Sequence, residues 1–285
     1  MFLFAPATWL AALTAATAPT PATAAPQLTA QQQADVSHPP IRLSAQQRCS
    51  VVELRQYVLH PGQRDVLIDL FEREFIEGQE AVGMRVFGQF HDLDNPDRFV
   101  WVRGFADMES RLHALNAFYY GPVWQTHRAA ANATLIDNDN VLLLHPGSAQ
   151  AGFAAIADPT LPAPPSPARL LIATIYYGKH PLAQDFTRWF ETELAPLMTQ
   201  TGARPIAWFE NETAENTFPR LPVRENENAF VWFAAFDDAA AYARHRQQLE
   251  HSNTSQTTIF TQLNNFLKTP AQTLRLEPTA RSRLQ

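Results

Sequence analysis

An internal repeat constrains the fold of this 285-residue chain more than any other feature of its sequence. Segment 70–74 (LFERE) reappears as 189–193 (WFETE), at an offset of 119 positions. Farther along, segment 99–107 (FVWVRGFAD) recurs as 230–238 (FVWFAAFDD), at an offset of 131. Because these matches share order, spacing and residue type, they indicate two copies of one structural unit.

The two offsets differ by twelve residues, which locates an insertion in the second copy. The offset of 119 still carries Gly83 onto Gly202 and Phe90 onto Phe209 without a gap. The longer offset applies from Phe230 onward. We therefore expect the insertion between Phe209 and Phe230, where Asn, Glu and Pro are frequent and favour a loop.

The first copy alternates between strand and helix patterns. Segment 51–59 (VVELRQYVL) has the alternation of a strand, and the apolar residues that follow it recur at helical spacing. Asp107 can cap a second helix, and Pro122 suits the first turn of a third. The resulting order, βαββαβ, is that of a ferredoxin-like unit. The predicted strands are 51–59, 84–91, 98–105 and 140–146, and the predicted apolar face of the first helix is Val66, Leu67, Leu70, Phe71 and Phe75.

The second copy repeats this order, so we predict an α+β protein built from two ferredoxin-like units. Its first strand is predicted at 170–177 and its second helical region at 238–268. Pro and Ala crowd the segment between the copies, which is typical of a stiff linker. The predicted organisation is a leader and spacer at 1–47, a first unit at 48–147, a linker at 148–167 and a second, divergent unit at 168–285.

Residues 1–47 have the pattern of an export leader followed by an unstructured spacer. The run 1–13 is apolar and has the length of a signal peptide rather than of a membrane span, and 22–24 (ATA) fits a cleavage site. No Lys or Arg precedes Arg42, so the leader lacks the usual side-chain charge. We expect a periplasmic or secreted protein with no stable membrane span once the leader is removed. The alternative is a cytoplasmic protein with an Ala- and Pro-rich tail.

Composition and motifs exclude several functional classes. The net charge is −6, and residues 50–147 carry eight basic against fourteen acidic side chains, so nucleic acid would be repelled. The single cysteine excludes an internal disulfide, a thiolate zinc site and an iron–sulfur cluster. The nine histidines form no H-x-H or H-E-x-x-H motif, and no dinucleotide, phosphate-loop or hydrolase motif occurs. We therefore expect no metal and no cofactor.

Four separated motifs of the first copy resemble the NIPSNAP family. They are 53–57 (ELRQY), 83–90 (GMRVFGQF), 122–128 (PVWQTHR) and 139–144 (DNVLLL), and the resemblance spans about residues 50–147. The second copy resembles the family only as a degenerate repeat of the first. The resemblance implies a dimeric α+β barrel, in which two ferredoxin-like units join their sheets.

Because both units lie on one chain here, we expect the barrel to form within a monomer, and further oligomerisation is left open. The wider barrel superfamily includes cofactor-free monooxygenases and haem-binding or haem-degrading proteins. The family resemblance itself implies little about a reaction.

Four residues of the predicted third helix, which begins at Pro122, are the first candidates for a ligand site. They bring together an aromatic ring, an imidazole, a fixed cation and an amide, which could orient an oxygenated or anionic ligand. The structural alternative is that the ring packs, the cation pairs with a carboxylate and the amide closes a turn. The second copy lacks this pattern, so we expect any such site to be single and in the first unit. The four residues are Trp124, His127, Arg128 and Asn132.

Arg55 and Tyr57 are two further candidates, because strand alternation places both on one face of the first strand. They could line the barrel lumen and hold a carboxylate or carbonyl group. The alternative, which we favour, is an ion pair and a hydrogen bond between the two units.

These observations predict a NIPSNAP-like binding or interaction protein that takes a small apolar or carbonyl-containing ligand in the barrel cleft of the first unit. The alternative is a cofactor-independent oxygenase or isomerase-like enzyme, in which His127 would be the base or proton shuttle. Arg128, Arg55 or Asn132 would then hold the developing oxyanion. A third hypothesis is haem binding through a histidine. The sequence shows no second acid or base beside His127, so whether the protein is an enzyme is left open.

Overall fold

The protein is described by a computed structural model, and the predicted leader at 1–47 and most of the linker predicted at 148–167 lie outside the described residues. None of the described helices combines the length and the apolar character needed to cross a membrane. The described residues are 48–153, 170–181, 184–251 and 254–285.

The first unit has the predicted βαββαβ order, with strand boundaries within one residue of those expected. Its first helix is interrupted by a π-helical turn at Phe71–Phe75, and a short strand that the sequence did not predict precedes the last strand. Asp107 caps the helix as predicted, because its side chain accepts a hydrogen bond from the Ser110 N–H. The elements are β1 (Val51–Leu59), α1 (Arg64–Leu70), α2 (Ile76–Glu80), β2 (Arg85–Asp92), β3 (Arg98–Phe105), α3 (Met108–Tyr119), α4 (Pro122–Ala133), β4 (Leu135–Asp137) and β5 (Val141–Pro146).

The second unit repeats these elements at the offsets found in the sequence. A second π-helical turn, at Phe190–Leu194, lies 119 residues after the one at Phe71–Phe75. Gly202, with a φ of +100°, takes the place of Gly83, with a φ of +95°. The elements are β6 (Leu170–Tyr177), α5 (Gln184–Trp189), α6 (Ala195–Gln200), β7 (Arg204–Asn211), β8 (Ala229–Phe236), α7 (Ala239–Glu250), α8 (Thr254–Phe266) and β9 (Gln272–Pro278).

Eight of the described strands close into a barrel that both units share. The units join at two antiparallel seams, β2 with β9 and β5 with β7. The pairing of β1 with β3 completes the ring, and β4 pairs with the end of β1. The predicted fold is therefore confirmed, since two ferredoxin-like units form an α+β barrel within one chain. The order round the barrel is β1-β3-β2-β9-β6-β8-β7-β5.

Alternation along β1 sorts its side chains between two cores. Val52 and Leu54 face the barrel interior, where they pack with residues of the second unit such as Leu171 and Phe233. Tyr57 points to the opposite face and packs with the helices of its own unit. A site between the sheet and these helices therefore belongs to the first unit rather than to the barrel lumen.

One apolar residue of the first helix is not buried as predicted. Val66 is 52% exposed, whereas Leu67 and Ile68 are buried. Each helical residue is rotated by about 100° from the last, so positions 66 and 68 lie on nearly opposite sides of the helix. Because Ile68 faces the core, the prediction for Val66 is wrong.

Phe153, near the start of the predicted linker, packs inside the barrel. The Phe153 ring centroid lies 4.8 Å from that of Phe87 in the first unit. It lies 5.1 Å from those of both Phe209 and Phe233 in the second unit. Phe153, at the described end of the linker, is therefore part of the barrel core.

The contacts of Phe153 predict its effect on stability. We expect Phe153→Ala to lower the free energy of unfolding in urea by about 3 to 5 kcal/mol, because it removes a buried ring from a core formed by both units. Val66→Ala, at an exposed position, is the control and should cost less than about 0.5 kcal/mol. Equal losses for the two variants would show that Phe153 does not support the barrel.

Candidate functional site

A cavity of about 490 Å³ lies between the sheet and the helices of the first unit. Tyr57 of β1 and Trp101 of β3 line it from the sheet, and Gln79 of α2 also lies in its wall. All three side chains are buried. Since the strand residues belong to the helix-facing core, the cavity is separate from the barrel lumen.

Aromatic rings form much of the cavity wall. The ring centroids of Phe71 and Trp101 are 4.8 Å apart, and those of Tyr119 and Trp124 are 4.9 Å apart. Both pairs meet edge to face, an arrangement that aromatic pairs prefer. The rings therefore support one another and shape the cavity before any ligand enters. Six rings of the wall are Phe71, Phe75, Trp101, Phe118, Tyr119 and Trp124.

The mouth of the cavity is polar and is formed partly by α4. Gln125, Arg128 and Asn132 line the cavity and are exposed to solvent. Their spacing of three and four residues places them along one side of the helix. A ligand entering here would pass polar and cationic groups before reaching the aromatic rings.

The insertion of the second unit covers the cavity of the first. Segment 212–228 connects β7 to β8, where the first unit has only the five residues 93–97. We call residues 212–228 the strap. Phe218, Arg220 and Leu221 of the strap line the cavity, so the second unit completes a site that lies in the first.

Two contacts show how the strap is held in place. The Phe218 ring stacks on Tyr119, with centroids 5.8 Å apart. The Asn216 side-chain oxygen accepts a hydrogen bond from Arg111 Nη1 at 3.0 Å. The strap therefore contacts both the aromatic wall and a buried charged group behind it.

Behind the cavity wall, one glutamate is surrounded by three arginines, and all four side chains are fully buried. Glu53 Oε2 lies 2.6 Å from Arg55 Nη1 and 2.7 Å from Arg103 Nε. Glu53 Oε1 lies 2.7 Å from Arg111 Nε. We call these four residues the Glu53 cluster. Three guanidiniums opposed by one carboxylate give the cluster a formal charge of +2.

The arginines keep Glu53 ionised. Burial acts to raise the pKa of Glu53, but the attraction of Arg103, Arg111 and Arg55 outweighs it and holds the pKa well below its usual range. Burial lowers the pKa of Arg111, and Glu53 opposes that effect. Arginine stays charged in proteins because its ordinary pKa is above about 12. The cluster is therefore a fixed, buried source of positive potential.

The Glu53 cluster contacts the cavity wall through Tyr57 and Gln79. The Tyr57 hydroxyl accepts a hydrogen bond from Arg55 Nε at 2.8 Å. Burial raises the pKa of Tyr57 against the opposing effect of Arg55, so this hydroxyl keeps its proton. Gln79 Oε1 accepts a hydrogen bond from Arg103 Nη1 at 2.9 Å. Since both oxygens already accept from arginine, these residues have an O–H and an amide N–H to offer a ligand.

The structure places four of the six predicted site residues at the cavity. Tyr57, Trp124, Arg128 and Asn132 all line it, although they come from β1 and α4. Their role in ligand binding stays a prediction.

Arg55 and His127 are not among the residues that line the cavity. Arg55 pairs with Glu53 and Tyr57 of its own strand, on the helix side of the sheet. Neither the barrel lumen nor an ion pair between units, the two arrangements expected for Arg55, is therefore correct. His127 Nε2 lies 3.4 Å from Glu74 Oε2, which places its ring against the π-helical turn.

Sequence reasoning did not identify Glu53, Gln79, Arg103 and Arg111 as site residues. A signal was present on β1, where a glutamate follows two valines within a predicted strand. Charged side chains are rarely buried unless they are paired, so such a position predicts a buried ion pair. The strap also had a signal in the sequence. The length of the insertion shows that the connection between β7 and β8 extends beyond the sheet.

The comparison with protein families agrees with the motifs of the first unit. Residues 52–149 match the NIPSNAP family model. The first unit of this chain is a NIPSNAP domain. The match includes most of β1 and all of β5, so it spans the elements around the cavity but not the strap. Among curated proteins, none matches this sequence.

Solved structures that resemble the chain cover both of its units. A candidate monooxygenase from Fusobacterium nucleatum is 10% identical, with a TM-score of 0.53 over 81% of this chain and 93% of that protein. An anthrone oxidase-like protein is 12% identical, with a TM-score of 0.54 over 83% of this chain and 94% of that protein. At these identities the likeness shows a shared two-unit fold.

A NIPSNAP-like domain protein from Burkholderia xenovorans resembles part of the chain. It is 28% identical over 38% of this chain and 95% of that protein, with a TM-score of 0.34.

The Glu53 cluster predicts a strong dependence of stability on its one carboxylate. Glu53→Gln keeps the side-chain size but leaves three buried guanidiniums without an opposing charge. We expect the free energy of unfolding in urea to fall by about 3 to 5 kcal/mol. Glu109→Gln, the same change at a side chain that is 86% exposed, is the control and should cost less than about 0.5 kcal/mol. A Glu53→Gln variant as stable as this control would contradict the charge assignment.

The same carboxylate predicts a pH dependence. The pKa of Glu53 is lower in the folded protein than in the unfolded chain, where a value of about 4.3 applies. Glu53 therefore stabilises the fold above about pH 4.3, and this contribution is lost as the pH falls toward the folded pKa. The difference in unfolding free energy between wild type and Glu53→Gln should shrink over that acidic range. Urea titrations from neutral to acidic pH measure it, and a constant difference would refute the expectation.

Proposed function

We propose that the NIPSNAP domain is a binding domain that takes a small, partly apolar molecule with at least one ring into its cavity. The observation that supports this most strongly is the enclosed aromatic wall. A volume of about 490 Å³ is within the usual size of small-molecule sites, roughly 300 to 1,000 Å³. Walls of mostly apolar and aromatic side chains with a few polar groups are also typical of such sites.

The side chains that line the cavity favour binding over catalysis. Among the described residues, none that lines it carries a carboxylate or an imidazole, the usual general bases. His127, the base of the alternative hypothesis, lies beside Glu74 and is absent from the lining. An oxygenase or isomerase would need another group to accept a proton. We therefore place binding first and keep the enzyme as the alternative.

The two fold neighbours are the reason for keeping that alternative. Their names refer to a monooxygenase and an anthrone oxidase, and both proteins share the two-unit fold. The Tyr57 hydroxyl, hydrogen-bonded by Arg55, is the group best placed to stabilise an oxyanion in such a reaction. At 10–12% identity, these names support no more than this hypothesis.

Titration with an uncharged fluorescent probe, N-phenyl-1-naphthylamine, tests the proposed function. We expect saturable binding at one site, with enhanced fluorescence as the probe leaves water. Asn132→Trp, at the mouth, should weaken binding by about tenfold or more because a large side chain narrows the entrance.

Ala133→Trp is the matched control. Ala133 follows Asn132 on α4 and is exposed, but it is not among the lining residues. This variant should bind the probe as wild type does. Absence of saturable binding by wild type, or equal affinities of the two tryptophan variants, would count against the cavity as the site.

A further inference from the structure

We propose that the cavity selects aromatic ligands that carry a negatively charged oxygen group, and that the Glu53 cluster supplies the positive potential for this selection. This inference rests on the proposed function, because it names the class of ligand that the same cavity takes. The cluster has three arginines and one glutamate, all fully buried.

Among the described residues, Glu53 is the only carboxylate paired with these three guanidiniums. The remaining hydrogen bonds from the arginine side chains go to the neutral groups of Tyr57, Gln79, Asn216 and the Met84 sulfur. Within the described part of the chain, Nη2 of each of the three guanidiniums has no hydrogen-bond partner. Buried charge that is incompletely paired is costly, so its presence calls for a role beyond folding.

The second unit shows that this fold does not need the charges. Glu53 faces Arg103 across the β1–β3 pair, and Ile172 faces Ala234 across the equivalent β6–β8 pair. In the first unit the sheet therefore packs against its helices with charged side chains at these positions. In the second unit the equivalent side chains are uncharged. Glu53 corresponds to Ile172, Arg55 to Thr174, Arg103 to Ala234 and Arg111 to Tyr242.

At position 79, too, the first unit has a polar residue where the second has an apolar one. The offset of 119 carries Gln79 onto Met198, which is buried in the apolar core of the second unit. The polar wall residue and the charges behind it are thus absent from the second unit together. Their joint presence in the first unit, where the aromatic cavity lies, connects the cluster with the ligand site.

Side chains of the cavity wall lie between the cluster and the cavity and are polarised by the cluster. Tyr57 and Gln79 accept hydrogen bonds from Arg55 and Arg103, which polarises the donors that they can direct to a ligand. The guanidinium carbon of Arg103 lies 5.0 Å from the ring centroid of Trp101, another lining residue. A ligand acceptor near Tyr57 and Gln79 would therefore meet donors backed by fixed cations.

The mouth has the same sign of charge as the inner wall. Arg128 and Arg220 line the cavity, and no described residue that lines it is acidic. By contrast, residues 50–147 as a whole carry more acidic than basic side chains. Attraction of anions is therefore a property of the cavity and not of the surface of the unit. The aromatic wall selects a flat ring system, and the polar groups select a carboxylate, sulfonate or phenolate on it.

Two probes that share the same ring system but differ in charge distinguish charge selection from binding. 8-Anilino-1-naphthalenesulfonate differs from N-phenyl-1-naphthylamine by a sulfonate group. We expect wild type to bind the anionic probe about tenfold or more tightly than the neutral probe, as a buried excess charge within several ångströms implies. Binding of the neutral probe with no preference for the anionic one would overturn this inference and leave the proposed function standing. Binding of neither probe would contradict both.

Gln79→Glu tests the source of the selection. This change keeps the side-chain shape and places a second carboxylate opposite Arg103, which reduces the excess charge next to the cavity. We expect the preference for the anionic probe over the neutral probe to fall by about tenfold or more. Gln150→Glu, the same change at an exposed position outside the lining, is the control and should leave both affinities unchanged.

Tyr57→Phe provides a second variant that removes one wall donor and keeps the ring. Arg55 retains its ion pair with Glu53 in this variant, so the cluster stays assembled. The affinity for the anionic probe should fall by about threefold to tenfold relative to that for the neutral probe. If Gln79→Glu and Tyr57→Phe both leave the preference for the anionic probe intact, the cluster and its wall donors do not select the ligand.

Discussion

Two antiparallel strand seams hold this molecule together, and the rest of its structure depends on them. β2 pairs with β9 and β5 pairs with β7, so each unit completes the sheet of the other and the barrel has no open edge between them. Side chains of both units then fill the barrel interior. Neither unit could bury this face alone, which makes the fused pair the smallest complete form of the fold.

Because the two units lie on one chain, they can carry different residues at equivalent positions. In a homodimer, both copies must carry every residue of a site, because one sequence encodes both. Here the first unit carries the cavity and the Glu53 cluster, whereas the second packs uncharged residues at the equivalent positions. The second unit contributes the strap instead, and Phe218 and Leu221 of the strap line the cavity of the first. In the function that we propose, one copy binds the ligand, and the other closes the barrel and covers the site.

The sequence predicted the elements of the fold well because their signals are local. Alternation located β1 and β3 to the residue, and Asp107 was recognised as a helix cap. The π-helical turns were not predicted, since no residue pattern distinguishes them from the α-helix around them. The strap was predicted as an insertion, but its position over the first unit depends on how the barrel closes.

The candidate site was only partly predictable for the same reason. Trp124, Arg128 and Asn132 were found because they lie on one helix at helical spacing. The Glu53 cluster was missed because its members come from separate elements, with Glu53 and Arg111 58 residues apart. Comparison of the two copies would have exposed it, because charged positions in one align with uncharged positions in the other. In a duplicated chain, such differences are the best sequence signal for a site.

We infer that the Glu53 cluster serves the ligand site and that the fold does not require it. The most direct test is to replace the four charged residues by uncharged side chains of similar volume, in one variant carrying Glu53→Leu, Arg55→Met, Arg103→Met and Arg111→Met. We expect an unfolding free energy in urea equal to that of wild type or higher by up to about 4 kcal/mol, as replacement of buried ions by packed uncharged residues often gives. We also expect the variant to bind 8-anilino-1-naphthalenesulfonate no more tightly than N-phenyl-1-naphthylamine. A variant that retains the wild-type preference for the anionic probe, or that is strongly destabilised, would show that the cluster does not serve ligand selection.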